Sequence, residues 1–150
     1  MRDNPGVIAP PPLIALASIG AGWLLGKAVP LALPAWAIWP GGVLVLAGVG
    51  LAIWAERCFK AVGTAAMPWK PTTAIATAGP YRFTRNPMYL GLLAAQLGTG
   101  LMLREAWIVL LAGLTFLVLH VGVVLREEAY LSAKFGAGYD SWRDRTRRWL

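Results

Sequence analysis

Four long runs without an Asp, Glu, Lys or Arg residue constrain this chain more than any other feature of its sequence. The runs cover residues 7–26, 28–55, 86–103 and 106–125. An α-helix needs about 20 mainly apolar residues to cross the hydrocarbon core of a bilayer, and these runs approach or exceed that length. We therefore predict an all-α fold, an integral membrane bundle of about four transmembrane helices followed by a C-terminal amphipathic helix. The predicted transmembrane helices lie near residues 9–27, 39–58, 87–103 and 106–126.

The 150 residues leave room for one domain. We divide it into scaffold helices, residues 1–58, and a second part, residues 59–150, that contains a long loop, a helical hairpin and a tail. The first run is as apolar as a secretory signal peptide. No clear basic region precedes it and no convincing cleavage site follows it, so we interpret it as a membrane helix. Pro30, Pro34 and Pro40 divide the second run and favour a short extended link before the second helix.

Small residues recur at helical spacing within these runs. Gly22 lies four residues before Gly26, and Gly91 lies four residues before Ala95. Such pairs let helix backbones approach closely, so we expect tight helix contacts at both places. Contacts of this kind form within one chain or between chains, and the oligomeric state stays open.

The net charge of +7 has a distribution that indicates a membrane surface rather than a nucleic acid. Most basic residues fall between the second and third predicted helices or after the fourth. They are Arg57, Lys60, Lys70, Arg82, Arg85, Lys134, Arg143, Arg145, Arg147 and Arg148. By the positive-inside rule, both segments are cytoplasmic. We expect a protein of a bacterial inner membrane, with the lipid bilayer as its partner and its functional site facing the cytoplasm. The single cysteine, Cys58, excludes an intramolecular disulfide and a multi-cysteine metal site.

The third and fourth predicted helices are joined only by Arg104 and Glu105, so they should form an antiparallel hairpin. The hairpin returns residues 126–128 to the end of the bundle where residues 86–89 lie. The two most polar stretches of the chain therefore converge at one end of an apolar bundle, which is the natural place for a binding site. The connection over residues 59–86 is too polar and too rich in proline to be a span, and a loop of this length is often functional.

Glu127 is the acidic residue that we expect to face this site. It lies four residues before Leu131 and so continues an apolar stripe, whereas Glu128 is rotated by about 100° around the helix and should face water or the loop arginines. A carboxylate at the edge of an apolar pocket favours a cationic partner. That partner is either Arg82 or Arg85, or else a cationic ligand.

His120 is the only histidine of the chain and lies deep in the fourth predicted helix. An ionisable residue inside a membrane bundle is a functional candidate by default. The alternative is a neutral histidine that is hydrogen-bonded to a neighbouring helix. Our candidate catalytic residues are Glu127, Arg85 and His120.

The tail, "REEAYLSAKFGAGYDSWRDRTRRWL", has the pattern of an amphipathic helix interrupted at Gly136 and Gly138. Its apolar face consists of Leu131, Phe135, Tyr139 and Trp142. Such a segment either lies in the membrane interface or folds back as a lid over the polar end of the hairpin. The periodicity leaves both arrangements open.

The stretch "GPYRFTRNPMYLG", residues 79–91, has two interpretations. Arginine and tyrosine anchor helix ends at lipid interfaces. The order of residues indicates more, because Gly79 and Pro80 make a turn and Pro87 starts a helix. The first amides of that helix could take an anionic group, while an inward Glu127 takes a cationic one. A ligand with both charges, such as an amino acid, fits both ends.

This stretch and the tail together resemble the membrane methyltransferases of the isoprenylcysteine carboxyl methyltransferase and phospholipid N-methyltransferase superfamily. The first pattern reads Gly-Pro/Val-Tyr-Arg, two residues, Arg-His/Asn-Pro, one residue, Tyr, one residue, Gly. The second reads Glu-Glu, two residues, Leu, three residues, Phe-Gly, two residues, Tyr. Each fixed position is met in residues 79–91 and 127–139, and the two blocks cover about the last half of the chain.

The resemblance implies an enzyme that uses S-adenosylmethionine as cofactor, bound at the cytoplasmic end of the hairpin, and no metal. The residues that it implies around the cofactor are Tyr81, Asn86, Pro87, Met88, Tyr89 and Glu127, with Thr73, Ala74, Ile75 and Ala76 on a looser local match. The substrate implied is a lipophilic small molecule or lipid with a carboxylate, amine or thiol head group. Asn86 departs from the histidine of the carboxyl methyltransferases, and "NPMY" is more similar to the phospholipid branch. Asparagine cannot act as a base at neutral pH.

Two other classes compete with this reading. Membrane sterol reductases have a broadly similar C-terminal bundle and bind NADPH, but the short chain and the "RNPMYLG" block argue against them. A non-enzymatic membrane protein with a degenerate site is the second alternative. The residues expected at the site are intact, which argues against a degenerate site; they are Tyr81, Asn86, Tyr89 and Glu127.

Overall fold

The computed structural model describes residues 4–65 and 71–150, and these residues form six α-helices and no β-strand. The helices are α1 (Pro11–Ala28), α2 (Ile38–Ala61), α3 (Pro87–Met102), α4 (Ala106–Leu119), α5 (Leu125–Phe135) and α6 (Ala137–Arg145). Short 3₁₀ segments, Ala35–Ala37 and Gly79–Arg82, precede α2 and α3, and a π-helical turn, His120–Val124, joins α4 to α5. The prediction of an all-α fold is confirmed. Lys70, one of the loop cations counted above, lies outside the described residues.

Two of the helical stretches among the described residues are long and apolar enough to cross a membrane. They are Ala35–Ala61 and Ala106–Phe135. The other two predicted spans are shorter, since α1 has 18 residues and α3 has 16, and at about 1.5 Å per residue a helix of 16 residues falls short of the roughly 30 Å hydrocarbon core. The total of four transmembrane helices therefore stays a prediction.

The observed helix boundaries differ from the predicted ones where proline and the tail are concerned. Pro40 lies inside the first turn of α2, which begins at Ile38, because the N–H groups of a first turn have no intrahelical partner and proline removes none that is needed. Pro30 and Pro34 lie in the link before it, as predicted. The fourth predicted helix does not end at residue 126, because α5 continues it to Phe135.

Close backbone contacts between helices occur where glycine was expected to permit them. A Cβ atom built on Gly91 would lie 2.5 Å from the carbonyl oxygen of Gly48, and one built on Gly48 would lie 2.5 Å from that of Gly91. On the other side of the bundle, a Cβ atom on Gly22 would lie 2.8 Å from the backbone of Ile108. Because these contacts are with backbone, α2 packs directly on α3 and α1 packs directly on α4.

A tight turn joins α3 to α4 and confirms the predicted hairpin. Arg104 has a φ of 58°, and Glu105 donates its backbone N–H to the carbonyl oxygen of Gly100 over 2.9 Å, a bond that closes the end of the helix. The link before α2 is hydrogen-bonded to the turn between α3 and α4, since Leu33 donates its N–H to the carbonyl oxygen of Arg104 over 2.9 Å. The hairpin thus places the start of α3 beside the start of α5.

The tail folds back over this end of the bundle. Gly136 has a φ of 54°, a conformation that glycine adopts without strain, and it separates α5 from α6. Beyond α6 the chain runs parallel to the segment before α3 and forms an isolated bridge between Thr84 and Arg147. Arg85 donates its backbone N–H to the carbonyl oxygen of Arg147 over 2.8 Å. Of the two arrangements open for the tail, the structure has the lid.

Candidate functional site

A cleft lies between the start of α3, the start of α5 and the returning tail. It contains ≈ 790 Å³ of space outside protein atoms, counting its open mouth. Its lining residues come from every segment that reaches this end of the bundle. They are Pro5, Phe59, Ala65, Thr72, Ala74, Ile75, Ala76, Tyr81, Arg85, Asn86, Met88, Tyr89, Glu127, Glu128, Tyr130, Leu131, Tyr139 and Trp142.

The 3₁₀ turn before α3 is fixed by a glycine. Gly79 has a φ of 60°, and a Cβ atom there would lie 2.8 Å from Cys58 Sγ and 3.1 Å from Trp54 Nε1. Only glycine fits both the backbone conformation and the space. The turn buries Tyr81, whose ring meets that of Phe59 edge to face at a centroid distance of 5.3 Å. This packing fixes one wall of the cleft against α2.

Glu127 faces the cleft, as the apolar stripe predicted. Its Oε1 accepts a hydrogen bond of 2.7 Å from the phenol of Tyr89, which joins the two polar stretches across the hairpin. The expected partner Arg82 or Arg85 is not found. Within the described part of the chain, no lysine or arginine nitrogen lies within 4.0 Å of the Glu127 carboxylate. A carboxylate that is held only by a neutral phenol still favours a cation.

Glu128 pairs with Arg85, one of the two arginines considered for Glu127, and with Arg148 of the tail. Arg85 Nη1 lies 3.4 Å from Glu128 Oε1, and Arg148 donates from Nε and Nη2 to the two carboxylate oxygens over 3.0 and 2.9 Å. The carboxylate side chain is 12% exposed and that of Arg85 is 10% exposed. Of the two alternatives for Glu128, water or the loop arginines, the structure has a loop arginine, Arg85, together with Arg148 of the tail.

Asn86 connects the start of α3 to the tail. Its Nδ2 donates a hydrogen bond of 2.8 Å to the carbonyl oxygen of Arg148, while Thr84 Oγ1 donates to the same oxygen over 3.2 Å. The side chain makes no cap bond to the helix. Asn86 also lines the cleft, but its amide acts here as a donor that holds the backbone of another segment.

Most of the predicted cofactor residues line the cleft, and two do not. Ala74, Ile75 and Ala76 line it, as do Tyr81, Asn86, Met88, Tyr89 and Glu127. Thr73 does not, because its backbone N–H is donated to Thr64 Oγ1 over 2.9 Å and its hydroxyl to the carbonyl oxygen of Gly63 over 3.3 Å. Pro87 does not either, since it is buried in the first turn of α3.

Two buried phenols in the cleft stay protonated at neutral pH. Burial, with a smaller contribution from the Glu127 carboxylate, raises the pKa of Tyr81 well above its ordinary value. Burial and the nearby Glu128 carboxylate raise the pKa of Tyr139 to about 12. Both side chains are therefore neutral groups that can donate one hydrogen bond each.

His120 lies outside the lining of the cleft, beside the tail. Its Nδ1 accepts a hydrogen bond of 3.3 Å from the indole N–H of Trp149, and its ring stacks on Phe116 at 6.0 Å with an interplanar angle of 8°. His120 also begins the π-helical turn between α4 and α5. The structure therefore brings Glu127 and Arg85 together at the cleft and places the third catalytic candidate apart from them.

Sequence reasoning missed part of the lining. Tyr139 and Trp142 of α6 line the cleft, with their rings 5.7 Å apart. The apolar stripe of the tail predicted that these two side chains lie on a buried face. It did not predict that this face covers the cleft. Pro5 also lines the cleft, although it belongs to the segment predicted as scaffold, and no pattern in the sequence pointed to it.

Comparisons with known proteins place the chain in a family. The family description that matches is phospholipid methyltransferase, over residues 36–138. Comparison with curated proteins and with solved structures returns no match. The match covers more than half of the chain, includes the whole first motif and ends one residue before Tyr139 of the second. The family indicates a membrane methyltransferase. The chain belongs to the phospholipid methyltransferase family.

Proposed function

We propose that this protein transfers a methyl group from S-adenosylmethionine to a lipophilic small molecule or lipid at the cytoplasmic face of a membrane. One observation carries the proposal. Tyr89 and Glu127, from two motifs 38 residues apart in the chain, form a hydrogen bond inside a cleft, and no described cation pairs with that carboxylate. Membership of a membrane methyltransferase family supports the same conclusion.

The residues of the cleft fit this cofactor in charge. S-adenosylmethionine supplies, when bound, a methyl group on a positively charged sulfur, and it also carries an ammonium group. Glu127 supplies the negative charge that such a ligand needs, and Tyr89 holds the carboxylate in place. Apolar side chains of the loop, including Ala74, Ile75 and Ala76, would pack against uncharged parts of the ligand. We propose these five residues, with Tyr81, Asn86 and Met88, as the cofactor site.

The chain's contribution to the reaction is alignment and exclusion of water. Displacement at a sulfonium methyl requires nucleophile, methyl and sulfur in one line, and such positioning contributes several kcal/mol, of the order of 7 or more in well-oriented cases. Asn86 has no basic group, and His120 is outside the lining of the cleft. We therefore propose that the acceptor enters as a nucleophile that needs no proton removed by either of these two residues.

An apolar groove supports a lipophilic acceptor. It lies where α2, α3 and α4 meet, and it contains ≈ 730 Å³ of space counting its open side. Its lining residues are Leu44, Leu90, Leu93, Ala94, Leu97, Ala112, Gly113 and Phe116. Leu90 follows Tyr89 directly, so the groove begins one residue beyond the cleft. We propose that a hydrocarbon tail lies along this groove while the head group reaches the cleft.

Calorimetric binding with detergent-solubilised protein tests the cofactor. We expect S-adenosylhomocysteine, the demethylated product, to bind more tightly than NADPH. Glu127→Gln should weaken that binding by tenfold or more, since loss of a charged hydrogen bond costs about 1.5–3 kcal/mol. Glu56→Gln is the matched control, because Glu56 pairs with Lys60 on an exposed face, with the two side chains 44% and 71% exposed.

The other possible results contradict the proposal in different ways. Preference for NADPH would indicate a reductase, and absence of binding to either ligand would indicate a non-enzymatic protein. Incubation with radiolabelled S-adenosylmethionine and a lipid extract then identifies the acceptor class. Methyl label in the lipid phase from the wild-type protein, lost in Glu127→Gln, is the expected result.

A further inference from the structure

Residues that line the cleft carry most of the buried side-chain atoms without a hydrogen bond in the described part of the chain. Among the residues that the structure describes, four buried side-chain atoms lack a hydrogen-bond partner, and three of them belong to residues that line the cleft. These three are Arg85 Nε, Arg85 Nη1 and Trp142 Nε1. The fourth, Gln96 Oε1, belongs to a residue of α3 that donates to Ser18 and lines no part of the cleft. Buried polar atoms are paired in more than nine cases out of ten, so this concentration indicates a missing partner.

The charge around Arg85 is not balanced by its carboxylate. Glu128 lies 3.4 Å from Arg85 Nη1 but also receives two hydrogen bonds from Arg148. Two guanidinium groups therefore share one carboxylate, which leaves one positive charge. The geometry favours Arg148, since its bonds are shorter and paired with both oxygens. Arg85, with a side chain that is 10% exposed, is left as an incompletely neutralised cation.

We propose that Arg85 and Trp142 form a subsite for an anionic group, either a phosphate or a carboxylate, of a ligand bound in the cleft. All three atoms are donors without a hydrogen bond, of which Arg85 Nη1 has only the 3.4 Å ion pair with Glu128, and a guanidinium and an indole N–H have no acceptor atom to offer. Their missing partner is an acceptor with several lone pairs and a negative charge. A guanidinium fork matches both phosphate and carboxylate.

The subsite gives the cleft two ends of opposite charge. Glu127 and Glu128 are adjacent in the chain, yet the first has a phenol as its partner and the second has two arginines. A ligand of the cleft can therefore present a cation to Glu127 and an anion to Arg85. The inference rests on the proposed function for the identity of its ligands, of which two carry an anion: the carboxylate of the cofactor and a phosphate on the acceptor lipid.

Two pairs of ligands distinguish these sources. The first pair is S-adenosylhomocysteine and 5′-methylthioadenosine, which lacks the amino-acid group. The second pair, used without cofactor, is a lysophosphatidic acid and the monoacylglycerol of the same chain length. We expect the wild-type protein to prefer, in at least one pair, the member that carries the carboxylate or the phosphate, and Arg85→Gln to reduce that preference by tenfold or more. Trp142→Phe keeps the aromatic ring and should reduce the same preference by a smaller factor.

The control is Arg143→Gln, which removes a guanidinium of α6 that pairs with Asp140 and does not line the cleft. It should leave both preferences within twofold of wild type. A wild-type protein without preference in either pair, or unchanged preferences in both Arg85→Gln and Trp142→Phe, would overturn the subsite. Failure of the proposed function is separate: neither adenosyl compound would bind, while the lipid pair would still report on the subsite.

Discussion

Asn86 Nδ2 donates a hydrogen bond of 2.8 Å to the carbonyl oxygen of Arg148, 62 residues later in the chain. The bond ties the beginning of α3 to the tail that closes the cleft. It gives Asn86 a structural role at a position where the resemblance implies a histidine in most carboxyl methyltransferases, and both side chains carry an N–H donor that can make this bond.

Removal of this donor should loosen the tail. Asn86→Leu keeps the branched shape of the side chain but leaves the carbonyl oxygen of Arg148 with the longer bond from Thr84 alone. We expect the free energy of unfolding to fall by about 1–3 kcal/mol, measured by denaturant titration in detergent. Asn86→His retains an N–H donor and should lose less than half of that amount. Equal stability of Asn86→Leu and wild type would show that the bond contributes nothing.

The bond between Tyr89 and Glu127 should appear as an energetic coupling between the two side chains. Tyr89→Phe removes the donor and Glu127→Leu removes the acceptor, whereas Glu127→Gln would keep an acceptor oxygen; the double variant removes both. Because a hydrogen bond to a charged group contributes about 1.5–3 kcal/mol, the effects on the free energy of unfolding should differ from additivity by at least about 1 kcal/mol. Additive effects would place the two groups apart in the folded protein.

The contact between α2 and α3 should tolerate no side chain at Gly48. A Cβ atom there would lie 2.5 Å from the carbonyl oxygen of Gly91 and 2.7 Å from the backbone nitrogen of Ala95, so Gly48→Ala must push the helices apart. We expect a loss of about 1–3 kcal/mol in the free energy of unfolding. Gly50→Ala is the control on the same helix, where a Cβ atom meets nothing within 4 Å. It should be neutral or slightly stabilising, since alanine favours helix by up to about 1 kcal/mol; similar losses in both variants would contradict the close approach.

His120 should contribute to stability rather than to chemistry. His120→Gln weakens the contacts with Trp149 and Phe116 and should lower the thermal midpoint, while turnover per folded molecule stays within about twofold of wild type. The measurement compares label transfer with the folded fraction of each preparation. A collapse of turnover at unchanged affinity for S-adenosylhomocysteine would instead make His120 part of the acceptor site.

The convergence of Tyr89 and Glu127 could be predicted from the sequence because it follows from connectivity. A connection of two polar residues allows only an antiparallel hairpin, and the hairpin returns the second motif to the first. The choice of partners could not be predicted. Glu127 and Glu128 differ by one position, and the chain offers several arginines to each; the parallel run of the tail beside Thr84 decides that Arg148 reaches Glu128.

The position of the tail was undecided for a similar reason. The same apolar stripe is required whether Tyr139 and Trp142 meet lipid or protein, so periodicity carries no information on this point. The left-handed conformation of Gly136 and the hydrogen bonds to residues 84–86 determine the outcome. Both depend on tertiary contacts that no local pattern encodes.

The bridge between Thr84 and Arg147 also sets an order of events during biosynthesis. A ribosome adds Thr84 long before Arg147, and α3, α4, α5 and α6 emerge in between. A nascent chain can form its hairpin, and with it the pair of Tyr89 and Glu127, before Arg147 and Arg148 of the tail have been added. The cleft therefore gains its acidic end first, and the wall that Arg148 contributes only after residue 148 is made.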